Sequence, residues 1–594
     1  MFNILWGTLL FLAPFLLIFC FSDRFRGFLY VLSADIAFHL LLALATQAWH
    51  IFSYPIILSA HILAAGAVVI ILIKKAKKIS WRIKINWFAL LAFSLIIFEL
   101  GSVHYFYSGR VSTSTGYQTV TRARHIYPYF SDEWAGVAFV NDSIANRSLP
   151  IVNPLIDSAD HKSFPNIFLA FFSILAEVFL LLSLPPLIGY PTLAIAAGVL
   201  ICLLVYILLR KAKISPAAAT VSILCLPYIT NGQNLAGLWY LLPFIGGLIP
   251  FLVSLASISG RDRFLAAASG VLALLIYPPL VIFILPVFLF NLWTDQELKT
   301  IAKWQFVLYG LVALLGSGLA VIAPQRSNFG PLSDLLRSYL LYPSLDGGVP
   351  SFAIWNIIPW VILPFALIGV FELGRKKIFP ILIPVLIGLS FWLIYSRGTQ
   401  FLVIGYDRVV VITSIFLIAS AAAAWDQMAV ILIRRFPGLA RPEIGWQLKF
   451  FILALCLLFS WSYTQRSAWE KLTLTVGSPE EKMIVRPLAP ATVFFTAADQ
   501  RLFSSLPRTR FLSNDWKGLV IGAATGLYPL NTKDSIVTNK ILDYPSFGGF
   551  SCAEKKISAQ EHRLRYVYSP SFDCPGFIKL GSSDENLYLY EFKP

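Results

Sequence analysis

The run Tyr127-Pro128-Tyr129-Phe130-Ser131-Asp132-Glu133-Trp134 holds the most suggestive pair of acids in the chain. Trp134, Val137, Ala138 and Ile144 follow at helical spacing, and Pro150 closes the stretch. Asp132 and Glu133 are therefore expected to open a short amphipathic helix on the outer face of a membrane. Carboxylates there can face a ligand and exchange a proton with it. They can also cap free backbone N–H groups, as Ser131 can, and the two uses are compatible. Adjacent side chains point in different directions, so at most one of the pair faces a given ligand. The surrounding segment, 108–165, also offers His125, Asp142, Asp157, Asp160 and His161. Their spacing matches no firm metal site, which leaves the metal unknown.

The elements that must position these residues are membrane helices. Of 594 residues, 57% are hydrophobic and 13% charged, and mean hydropathy is +0.73. That excludes a purely cytosolic enzyme and a disordered chain. The apolar residues come in long unbroken runs, which argues against a β-barrel. Runs of spanning length lie near 2–21, 28–48, 56–73, 86–107, 188–209, 214–229, 236–259, 264–277, 279–292, 305–323, 352–373, 378–396, 409–432 and 448–464. This predicts a mostly α, polytopic protein with about 14 transmembrane helices. Tyr277-Pro278-Pro279 would hinge the pair 264–277 and 279–292. Segments 22–27, 74–84, 210–213, 260–263, 293–304, 375–377 and 434–449 together hold 22 Lys/Arg and 5 Asp/Glu, while the turns 49–55 and 230–235 hold none of the four. Positive loops stay in the cytoplasm. Segments 108–165, 324–351 and 465–594 then face outward from the cytoplasmic (inner) membrane. The net charge of +16 is used in this orientation, and no basic stripe suggests a nucleic acid partner. Residues 166–187 are apolar, yet spanning would put Arg210, Lys211 and Lys213 outside. They read as a helix lying along or dipping into the outer face.

The tail, 465–594, carries 16 basic and 13 acidic residues. It reads as a small soluble α/β domain with candidate strands Val493–Thr496, Arg565–Tyr568 and Leu587–Phe592. Cys552 and Cys574 are its only cysteines; an oxidising compartment would favour a disulfide, but spacing alone leaves the pairing open. Ile521–Gly526 mimics a dinucleotide loop without its first glycine, and reads as a turn. The first 21 residues read as a retained span, lacking a basic leader and a small-residue cleavage site. Acids inside apolar spans are Asp35, Glu99, Glu177, Glu372 and Asp426. Glu372 and Asp426 sit near cytoplasmic ends. Glu99, with His104 beyond it, lies near the outer end of the helix feeding the key loop and is a candidate support for the site. Asp35 and His39 are four apart and are expected to satisfy each other.

A long first outer loop with an Asp-Glu pair, a short helix and the Leu149-Pro150 exit resembles the GT-C class of polyprenyl-phosphate-sugar glycosyltransferases. Protein O-mannosyltransferases and aminoarabinose lipid A transferases belong to this class. The resemblance continues in order through the Tyr277-Pro278-Pro279 hinge, Tyr406-Asp407-Arg408 opening a late helix, and an exported mixed domain. Ser163-Phe164-Pro165 stands where the family often has His-Pro-Pro. The resemblance covers roughly 86–594 and divides the chain into additional helices (1–85), a GT-C-like core (86–464) and the exported domain (465–594).

The resemblance implies a membrane enzyme that moves a sugar from a polyprenyl-phosphate carrier to a glycolipid, polysaccharide or protein acceptor on the extracytoplasmic face. Asp132 would be the general base, with Glu133 the second candidate, and displacement would invert the anomeric carbon. Arg408, then Arg326, would hold the phosphate. His161 and Tyr277 are further candidate substrate contacts. The resemblance leaves room for a divalent metal, Mg or Mn, without requiring one. Two other classes compete. A secondary transporter or lipid flippase would show paired broken helices and mid-membrane charges. An O-antigen polymerase or ligase would rely on outward arginines, here Arg326, Arg337 and Arg397.

Overall fold

The computed structural model describes residues 2–75, 86–105, 107–113, 116–123, 128, 131–157, 166–229, 237–294, 358, 362–396, 406–435, 474–476, 483–485, 495, 497–533, 540–583 and 586–593. The expected spans at 305–323 and 448–464 lie outside these residues, as do His125, Asp160, His161, Arg326, Arg337 and Arg397.

The described chain is mostly helical. Helix α1 (Phe2–Leu12) continues as a 3-10 helix to Cys20, followed by α2 (Arg24–Ala48) and α3 (Tyr54–Lys74). Helix α4 (Trp87–Tyr105) leads into an antiparallel hairpin of β1 (Tyr107–Thr113) and β2 (Gly116–Ala123). Then come α5 (Ser131–Asn146), α6 (Leu169–Leu182), α7 (Pro186–Lys211), α8 (Pro216–Cys225), α9 (Pro243–Ser259), α10 (Arg263–Ile276) and α11 (Val281–Thr294). Helices α12 (Leu363–Arg375), α13 (Phe379–Ser396) and α14 (Tyr406–Arg435) complete the described bundle.

Among the described residues, five helical stretches are long and apolar enough to cross a membrane: Asn3–Cys20, Arg24–Ala48, Tyr54–Lys74, Pro186–Lys211 and Arg408–Ile431. Two further stretches form shorter helices than expected. The stretch 214–229 forms only the ten-residue α8 and a 3-10 turn, and 236–259 becomes helical only at Pro243. Proline is favoured at the first helical position, so it fixes that late start. The expected hinge is present: α10 ends at Ile276, and Pro278–Leu280 form a 3-10 turn before α11.

Three of the basic segments assigned to one side meet at one end of the bundle. Asp23 caps α2, accepting from the backbone N–H groups of Phe25 and Arg26, and pairs with Lys211 at 2.5 Å. Asp262 caps α10 and accepts from Arg26 Nε at 2.8 Å and Tyr30 OH at 2.9 Å. Helix α14 runs through the core. It can approach α12 closely because Gly369 has no side chain; a Cβ there would sit 1.9 Å from the Ser420 carbonyl oxygen.

Helix α6 has 14 residues, about 21 Å at 1.5 Å per residue, against a hydrocarbon core of about 30 Å. It ends at Ser183 in the left-handed conformation (φ 51°) and is buried against α2, α5 and α9. Helix α5 departs from the expected surface helix. Nine consecutive residues, Asp132–Val140, are buried, so it has no lipid or solvent face over that length. Phe139 stacks on Phe172 of α6 at 4.8 Å, and Gly136 lies so close to Tyr190 of α7 that a Cβ would fall 2.4 Å from its hydroxyl.

The tail covers the remaining side of α5. Its described elements are the hairpin β3 (Leu474–Val476) and β4 (Met483–Val485), then α15 (Ala497–Phe503), β5 (Arg510–Leu512), α16 (Asp515–Thr525), β6 (Tyr528–Pro529), α17 (Tyr544–Gly549), α18 (Cys552–Glu561), β7 (Tyr566–Ser569), β8 (Phe577–Ser582) and β9 (Tyr588–Phe592). Five strands form one sheet in the order β6-β5-β7-β9-β8, with β5 parallel to both its neighbours. β7 and β9 coincide closely with two of the expected strands, whereas Phe495 of the third lies in a bend. Cys552 and Cys574 are disulfide-bonded, with Cα atoms 5.5 Å apart. The glycine-rich stretch is the C-terminal end of α16, capped by Gly526 at φ 75°. Phosphate-binding glycine loops instead precede a helix, where the free N–H groups are.

Candidate active site

Three helix starts converge at the edge of α5. Asp132 is in the first turn of α5, Arg408 in the first turn of α14 and Phe244 in the first turn of α9. Arg408 Nη2 donates to Asp132 Oδ2 at 3.3 Å, and its guanidinium lies 6.0 Å from the centre of the Phe244 ring. Helix starts present free N–H groups and the positive end of the macrodipole, which favour an anion. Arg408 adds a full positive charge to the same place. The two side chains keep 14% and 11% exposure, so the pair is sheltered.

The adjacent carboxylate does something else. Glu133 is 1% exposed, and its Oε1 accepts the backbone N–H of Leu241 at 2.8 Å. Leu241 belongs to the non-helical stretch before α9, so Glu133 ties the start of α5 to the start of α9. Tyr277 reaches the site through aromatic contacts. Its ring stacks on Phe168 at 5.4 Å and meets Phe244 edge-on at 5.8 Å. Glu99 lies half-buried on α4, which packs against α7 and α8.

The tail is fixed to the outer loop by polar contacts. Arg508 Nη2 donates to Asp142 at 3.1 Å, and Arg510 Nε donates to Asp157 at 2.8 Å. Asn141 Nδ2 donates to the Ala523 carbonyl at 3.0 Å. Asp142 and Asp157, read as metal-ligand candidates, thus serve as docking points for arginines. Asn141, the first residue of a glycosylation pattern, is engaged as well. Acids expected inside apolar spans also have partners. Asp426 accepts the Ser215 N–H, and Glu372 pairs with Arg375 at 2.7 Å. His39, expected to pair with Asp35, has its Nε2 3.6 Å from Asp35 Oδ2 and its Nδ1 2.5 Å from Glu177 Oε2. The i,i+4 neighbour and a carboxylate from another helix thus face the two nitrogens of one ring.

The sequence matches no protein-family model and no curated protein. Solved structures do resemble the fold. The archaeal oligosaccharyltransferase AglB from Archaeoglobus fulgidus, in complex with an inhibitory peptide and a dolichol-phosphate, matches with a TM-score of 0.50 and 14% identity, over 83% of this chain and 70% of that one. The fold is GT-C. The apo form of the Archaeoglobus fulgidus oligosaccharyltransferase matches with a TM-score of 0.48 and 14% identity, over 82% and 70% of the two chains. The same enzyme tethered to an acceptor peptide containing the NVT sequon matches at 0.46 and 12%, over 86% and 74%. In this GT-C fold, Phe244, the Leu241 backbone and the tail arginines are contacts that sequence reasoning missed. Only the aromatic richness before α9 hinted at the first.

Proposed function

We propose that this integral membrane protein is an inverting glycosyltransferase. It takes a glycan from a polyprenyl-phosphate carrier and passes it to an acceptor hydroxyl on the extracytoplasmic face, where the acceptor is a glycolipid, polysaccharide or protein. The observation that carries this reading is the Asp132–Arg408 contact at three helix starts. It puts a proton acceptor beside a site suited to phosphate. AglB, of the same fold, has been solved with a dolichol-phosphate, which supports a carrier of that class.

The acceptor oxygen attacks C1 of the sugar and a C1–O bond forms on the face opposite the phosphate. The C1–O(phosphate) bond breaks, and its electron pair leaves with the polyprenyl phosphate. Asp132 takes the acceptor proton as the oxygen attacks. Arg408, with five N–H donors, can hold the phosphate while keeping its bond to Asp132. Its charge stabilises the leaving group as negative charge builds there. Phe244 supports the guanidinium from below, and Tyr277 supports Phe244. Glu133 positions the helix rather than reacting.

A divalent ion such as Mg or Mn would need oxygen ligands at this place. Of the two carboxylates, Glu133 directs Oε1 to Leu241 and Asp132 already has a cation at Oδ2. These two residues do not by themselves make a metal set. The test is transfer of labelled glycan from polyprenyl-phosphate donors in purified membranes. Wild-type turnover with loss in Asp132→Asn supports the reading; wild-type protein that moves lipid across the bilayer without transferring sugar overturns it.

A further inference from the structure

Away from Asp132, three helices bring four ionisable side chains into one buried group. Asp35 and His39 come from α2, His61 from α3 and Glu177 from α6, with exposures of 6%, 3%, 3% and 0%. Glu177 Oε2 lies 2.5 Å from His39 Nδ1, and Glu177 Oε1 lies 3.3 Å from His61 Nε2. Ligand atoms of His39, His61 and Glu177 all fall within 4.8 Å of one another. Phe11 and Phe38 wall the group, their ring centres 5.2 Å from His39 and 5.1 Å from His61.

The hydrogen bonding leaves a specific deficit. His61 Nδ1 is 2.9 Å from the Ile57 carbonyl oxygen. A carbonyl only accepts, so Nδ1 carries a proton, and in the neutral imidazole Nε2 then presents a lone pair. The atom it faces, Glu177 Oε1, is also an acceptor. Neither has a hydrogen-bond partner among the described residues. Two lone pairs facing each other in a dry site call for a positive species between them. The charge count points the same way: Asp35 and Glu177 bring two negative charges into apolar surroundings, and one divalent ion balances both while the imidazoles stay neutral.

We propose that His39, His61 and Glu177 hold a divalent transition-metal ion of the zinc class. Two imidazoles and one carboxylate are a ligand set that zinc accepts, with water in the fourth position. Ligation through His61 Nε2 leaves its Nδ1–H on the Ile57 carbonyl. Ligation through His39 Nδ1 turns its Nε2–H toward Asp35 Oδ2, now 3.6 Å away. Each imidazole would then be oriented by an acceptor behind it, as ligating histidines generally are. The ion would fasten α2 and α3 to α6, and α6 in turn supports α5. It would link the first helices of the chain to the helix that carries Asp132.

The test uses the full chain, purified on a tag without histidine, with bound metal counted by mass spectrometry. The expected content is about one zinc-class ion per chain, falling at least tenfold in His61→Gln and in Glu177→Gln. Asp35→Asn should keep the ion but weaken its binding by about 10–100-fold. Because a buried substitution can cost the fold itself, Co2+ titration of the metal-stripped wild type is the second measurement. A visible ligand-field spectrum of tetrahedral nitrogen and oxygen ligation is expected. Wild-type protein that holds no metal and gives no Co2+ spectrum overturns the proposal and makes the group a proton-sharing cluster. Metal retained in His61→Gln overturns it too, by placing the ion elsewhere.

Discussion

Asp132 and Arg408 are separated by 276 residues in the chain and by 3.3 Å in space. The contact joins the loop after α4 to the start of α14, and it gives the carboxylate a fixed direction. Asp132→Asn keeps the shape and removes the proposed base. Glycan transfer should fall about a hundredfold or more, measured at matched expression, while the fold is retained, since Asn keeps an oxygen that can accept from Arg408. Full activity in this variant would remove Asp132 from the chemistry.

Arg408→Lys keeps the charge but loses the planar fork. The donor KM should rise and turnover should fall, with the acceptor KM unchanged. An equal effect on both substrates would mean that Arg408 only shapes the site.

Glu133 predicts the opposite of its neighbour. Glu133→Gln retains an oxygen for the Leu241 N–H and should keep most of the activity. Glu133→Ala leaves that N–H without this acceptor and should cost about 1–3 kcal/mol of stability, read as a lower denaturation midpoint. Loss of transfer in Glu133→Gln with the fold intact would make Glu133 a reacting group.

Arg510 is 6% exposed and pairs with Asp157, which is 26% exposed. Arg510→Ala should cost about 1.5–3 kcal/mol, the usual worth of a charged hydrogen bond. It should also speed proteolytic cleavage between tail and bundle. Unchanged cleavage would show that the apolar contact of α16 with α5 suffices.

The tail also carries a pH signature. Glu554 closes a capping box with Ser551 on α18, and the backbone hydrogen bond from Ser551 holds its carboxyl below the usual range. Its contribution is therefore present above the unfolded value, about 4.3, and lost as pH falls through the lower folded one. Thermal melts of wild type and Glu554→Gln should converge under acid. A gap that widens as pH falls would contradict that sign.

The legible part of this fold was local. The start of α5 followed from a capping sequence and helical spacing, and the hinge at Pro278 followed from proline chemistry. Arg408 was marked by a resemblance that placed it at a helix start. What stayed hidden was convergence between distant segments. Glu177 lies 138 residues from His39, and the helical neighbour Asp35 offered a sufficient local explanation. Arg508 and Arg510 sit in a tail of nearly balanced charge, where nothing distinguishes a docking arginine from a solvated one. The burial of α5 depended on a domain more than 350 residues downstream, and no periodicity within the helix records that cover.

That cover has a consequence for biogenesis. Asn141 on α5 and Ala523 on α16 are 382 residues apart. At ordinary synthesis rates roughly 20–80 s pass between the emergence of the two. Throughout that interval the nascent chain holds α5 with that side uncovered. The tail must be made and docked before that side of α5 is covered, so a chain still on the ribosome does not yet hold Asp132 in its folded surroundings.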